Sequence, residues 1–103
     1  MNRYFYLDES PYYPGKYTIR LVHEKFNLTN FRGSCNCIPA KIMMLSYANY
    51  LRYCRDEFGA ELYGKNTKYP IALFKDKKRA EILVKELNRR AAIVVNPKSV
   101  DSN

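Results

Sequence analysis

At 103 residues, with 18 Lys and Arg against 10 Asp and Glu, the chain has room for one domain and a net charge of +8 that favours acidic partners. Apolar residues make up 47% of it, which excludes a disordered tail. No apolar run approaches the roughly 18 to 20 residues that span a bilayer, which argues against a membrane partner.

"RYFYL" (3–7) reads as a short aromatic strand. "DESPYYPG" (8–15), with two prolines and a glycine, reads as a loop. "KYTIRLVH" (16–23) alternates, with Tyr17, Ile19, Leu21 and His23 on one face and Thr18, Arg20 and Val22 on the other. The two strands predict an antiparallel pair. Residues 24–37 have no clear period, so an ordered loop is expected, pinned by Phe26, Leu28 and Phe31.

A single helix is predicted from near Pro39 to Phe58, ending at Gly59. At 100° per residue its core face holds Met43, Met44, Tyr47, Ala48, Tyr50, Leu51, Cys54 and Phe58. Ile42, Leu45 and Tyr53 then point outward and need a cover: the irregular loop, a second protomer or a partner. Residues 60–64 and 69–74 predict a β-hairpin around Lys65-Asn66-Thr67-Lys68. Asp76 is a candidate N-cap for a second helix, with Ala80, Leu83, Val84 and Leu87 as its core stripe. The β-branched run "AAIVV" (91–95) predicts a last strand, and 96–103 a frayed tail. The expected fold is a single α+β domain over residues 1–95. It has two layers: a mostly antiparallel sheet and two helices on one face, in the order β-β-α-β-β-α-β.

Three cysteines are an odd count, and "MNRYFYLDES" lacks the apolar segment of a signal peptide. Both favour a reducing cytosol. A Cys3His metal site would have to draw on His23, Cys35, Cys37 and Cys54. Cys35-Asn36-Cys37 has the wrong spacing for a zinc knuckle, and Cys54 falls in the middle of the helix core stripe. The simpler reading is a loop that starts a helix, with no cofactor; a reactive thiol at the helix start is the other alternative. No Walker A loop, G-x-G-x-x-G or H-E-x-x-H occurs, and the one histidine has no consistent nucleophile partner. The expectation is a non-enzymatic protein.

Residues 1–38 carry a net charge of +2 and residues 39–103 a net of +6. The basic candidates are Lys65 and Lys68 in the hairpin turn and Lys75, Lys77, Lys78 and Arg79 around the start of the second helix, extended by Arg52 and Arg55. Cations at a helix N-terminus oppose the macrodipole, so their placement asks for an acidic partner. A solvated helix face is the plainer reading. Tyr12 and Tyr13, in the proline-flanked loop, and Ile42, Leu45 and Tyr53 are the candidate apolar anchors.

The stretch "LRYCRDEFGAELYGKNTKYPIALFKDKKRAEILVKELNRRA" (51–91) is Lys- and Tyr-rich, with a hairpin followed by a short basic helix. In that texture it resembles small uncharacterised accessory proteins of bacteriophages and other mobile elements. The resemblance implies a cytoplasmic protein of a bacterial host that binds a host enzyme or defence nucleoprotein complex stoichiometrically and inhibits it. The alternative is direct binding of DNA or RNA by the basic hairpin and helix; a small enzyme or metal protein around His23 and the cysteines is a third reading.

Overall fold

The computed structural model describes residues 3–26, 35–68 and 70–95. The expected anchors Leu28 and Phe31 and the expected tail, 96–103, lie outside the described residues.

β1 (Phe5–Glu9) and β2 (Tyr17–Leu21) pair antiparallel, with Phe5 opposite Leu21, Leu7 opposite Ile19 and Glu9 opposite Tyr17. Alternation puts these six on one face, as their spacing requires. On the other face Arg20 Nε meets the Asp8 carboxylate at 2.9 Å. The connecting loop closes through Ser10 N–H donating to Lys16 O, with Gly15 at φ +80°. A second antiparallel hairpin joins β3 (Glu61–Tyr63) and β4 (Ile71–Leu73).

The chain is α+β, but its strands form two small antiparallel sheets rather than one. A single bridge joins the hairpins: Tyr17 and Phe74 exchange both backbone hydrogen bonds at 2.8 Å. β3 and β4 are three residues each, too short to extend the pairing further.

The predicted first helix is two. α1 (Ile38–Ile42) and α2 (Tyr47–Phe58) are separated by a turn in which Met44 takes φ +60°. Ser46 restarts the helix, its hydroxyl accepting the Asn49 N–H at 3.2 Å. The break resets the helical phase, and two expectations fall with it. Ile42, placed outward by a continuous helix, is 1% exposed, while Met44, placed in the core, is 86% exposed.

The predicted last strand, 91–95, is also overturned. α3 runs unbroken from Lys77 to Val95. Ala91 continues the buried stripe of Ala80, Leu83 and Leu87, and no turn residue separates it from Arg90. Helical burial at every third or fourth residue outweighs the β preference of Ile93, Val94 and Val95.

The order is therefore β-β-α-α-β-β-α. The core gathers Phe5, Phe26, Ile38, Ile42, Leu51, Cys54, Phe74, Leu83 and Leu87. Asn88 ties α3 to the start of β1: its Oδ1 accepts the N–H groups of Tyr4 (2.8 Å) and Phe5 (2.7 Å), and its Nδ2 donates to Phe5 O (3.1 Å). Among the described residues, no helix is long and apolar enough to cross a membrane.

Candidate interaction surface

The Tyr17–Phe74 bridge brings the proline loop of the first hairpin beside the second hairpin. Tyr13 packs on Tyr63, with ring centroids 4.5 Å apart. Lys16 sits over the same Tyr63 ring at 4.9 Å, and Lys77 over the Tyr17 ring at 5.7 Å. Tyr12, next to Tyr13, is 84% exposed. Tyr13, Lys16, Tyr63 and, through Glu61, Lys75 make one aromatic and cationic face built from three separate parts of the chain.

Glu61 is the carboxylate at its centre. It pairs with Lys75 and with Lys16, the latter at 2.9 Å, and accepts the Tyr63 hydroxyl at 2.7 Å. The Lys75, Lys16 and Tyr63 hydrogen bonds, in that order, pull its carboxyl down to about 2. Lys16 is held above its ordinary value by Tyr63 first and Glu61 second. Glu61 therefore stays ionised and fixes Lys16 and Lys75 in place. Beyond it, Lys65 and Lys77 are exposed with no ion-pair partner among the described residues.

The other basic candidates divide. Lys65 and Lys68 occupy the β3–β4 turn as expected and are exposed. Lys78 is exposed on the outer side of α3. Arg79 turns back on the molecule, its Nη2 donating to Glu57 O at 2.8 Å across the end of α2. Its backbone N–H is capped by the Asp76 carboxylate at 3.2 Å. Arg52 and Arg55 stay on α2, with Asn49 (2.5 Å) and Asp56 (2.8 Å) as partners.

The apolar candidates divide as well. Tyr12 and Tyr13 are exposed on the loop. Ile42 is core. Leu45 and Tyr53 are half-buried and pack within the molecule, Tyr53 edge-on to Phe58 at 5.3 Å. Their cover is internal.

The metal candidates do not converge. Cys35 Sγ lies 3.8 Å from His23 Nδ1, but Cys54 is in the core beside Tyr50, where burial pushes its thiol up to about 12. Among the described residues, no three His, Cys, Asp or Glu side chains come together as a metal site.

Sequence reasoning missed Lys16, Glu61 and Tyr63 as surface partners. Lys16 and Tyr63 lie 47 positions apart, and no local periodicity connects residues that meet only through a tertiary bridge. Comparison with known families, with characterised proteins and with solved structures found no match.

Proposed function

We propose that this protein acts by stoichiometric binding, laying its Tyr–Lys face on an acidic surface of a partner protein and blocking it. One observation carries the reading: the Tyr13–Tyr63 pair, beside exposed Tyr12, carries Lys16 over its Tyr63 ring, and the neighbouring carboxylate, Glu61, is already committed to Lys16 and Lys75. Aromatic rings at the middle of a charged rim are the composition of a binding hot spot. The resemblance of residues 51–91 to phage-type accessory proteins supplies the partner's class, a host enzyme or defence nucleoprotein complex in a bacterial cytoplasm.

Direct binding of DNA or RNA is the second reading. It draws on Lys65, Lys68, Lys77 and Lys78. It is weakened where Lys75 and Arg79 are engaged within the molecule.

The test is affinity capture from bacterial lysate, with and without nuclease, using the wild type and a Tyr12→Ala/Tyr13→Ala variant. The proposal expects a discrete protein retained after nuclease and lost with the tyrosines, since truncating a central aromatic anchor costs about 2 kcal/mol or more, roughly thirtyfold in affinity. Recovery of nucleic acid alone, vanishing steeply as salt rises, overturns it in favour of the second reading.

A further inference from the structure

A second feature lies away from the Tyr13–Tyr63 pair. A cleft of about 570 Å³ opens between the first hairpin, β4 and the start of α2, and Tyr12, His23 and Cys35 lie on its wall. That volume falls within the about 300–1,000 Å³ of small-molecule sites. Cys35 Sγ and His23 Nδ1 are 3.8 Å apart, within reach of a thiol–imidazole hydrogen bond, in the chain's only His–Cys contact among the described residues. Both are accessible: His23 is exposed and Cys35 half-buried. Arg20 also lines the cleft, its Nε paired with the Asp8 carboxylate at 2.9 Å. The two other thiols serve as controls. Cys37 is equally half-buried but has no imidazole beside it among the described residues, and Cys54 is sealed in the core.

We infer that Cys35 is a modification site, a nucleophilic thiol with His23 as its base, that exchanges with a low-molecular-weight disulfide held in the cleft. The thiol proton passes to His23 Nδ1. The Cys35 sulfur then attacks one sulfur of the incoming disulfide, whose S–S bond breaks as a mixed disulfide forms on Cys35. The departing thiolate takes the proton back from the imidazolium. One disulfide is consumed and one is made, so no further oxidant is needed.

The test uses the full, reduced chain and oxidised glutathione as the probe, with each cysteine followed by peptide mass mapping in the native state and in urea. A base that raises the thiolate fraction tenfold gains about threefold in rate, because nucleophilicity falls as basicity falls. Native Cys35 is therefore expected to react at least about threefold faster than Cys37, each normalised to its own rate in urea, with Cys54 silent until unfolding. His23→Gln should bring Cys35 down to the Cys37 rate. Equal native rates for Cys35 and Cys37, or a Cys35 rate unmoved by H23Q, overturn the assignment. The wild-type comparison stands without the variant should the variant fail to fold.

Discussion

Replacing Asn88 with alanine removes the clamp that seats β1 on α3. Three hydrogen bonds go: those from the Tyr4 and Phe5 N–H groups to Oδ1 and that from Nδ2 to Phe5 O. The backbone they serve is enclosed, since Tyr4 is 4% and Phe5 0% exposed. An unmet buried donor costs about 1–3 kcal/mol. Two such donors and a carbonyl, partly rehydrated through the space the amide leaves, give a loss of about 3 kcal/mol, or about 10–20 °C in Tm for a domain this size. Urea unfolding followed by far-UV circular dichroism measures it, with an unchanged m value showing that the native state stays compact. Asn88→Asp keeps an acceptor for both N–H groups and should lose less than the alanine variant at neutral pH. A loss below about 0.5 kcal/mol for Asn88→Ala would refute the clamp, because it falls within what an ordinary surface substitution does.

Other predictions concern the helix break, pH and the core thiol. Ser46→Ala removes the cap of α2 and should cost about 1 kcal/mol by chemical denaturation. Met44→Gly should instead stabilise by up to about 1 kcal/mol, since an exposed non-glycine residue at φ +60° carries left-handed strain; a destabilised variant would argue against the turn. The carboxyls of Glu61 and Glu86 are both held at about 2, below their ordinary 4.5, the latter by Arg89 first and Arg90 second. Their folded values lie below the unfolded ones, so their stabilisation is present above about pH 5 and is lost as pH falls toward about 2. Glu61→Gln and Glu86→Gln should each flatten the acid limb of a stability–pH curve. Cys54→Ser places a hydroxyl in the core and should destabilise by about 1–3 kcal/mol, read as a shifted urea midpoint.

Much of this protein was legible from local pattern alone. Alternation in 17–21 reports its own face, because successive strand residues point opposite ways wherever the strand sits, although the strand stops before His23, which opens a 3-10 turn. The hairpin around Lys65–Lys68, the Gly59 cap and the Ala80–Leu83–Leu87 stripe are local in the same sense: turn chemistry and a 3.6-residue period need no knowledge of the rest of the chain. The net charge and its weighting toward residues 39–103 were fixed by composition.

What failed did so where competing local signals needed a tertiary arbiter. Met43 and Met44 fit a continuous apolar stripe as well as a turn. Only packing of α1 against both α2 and α3 favours breaking the helix there and burying Ile42. Residues 91–95 have strand-forming side chains, yet a buried slot for Ala91 keeps them helical. The candidate surface lies further still from local reading. Tyr13 and Tyr63 are 50 positions apart, Lys16 and Glu61 are 45, and the Asn88 clamp on β1 spans more than 80. A sequence can announce that a tyrosine or a lysine is available. Which ring meets which cation is decided by the bridge at Tyr17 and Phe74, because two short hairpins have no register with each other until the core beneath them has packed.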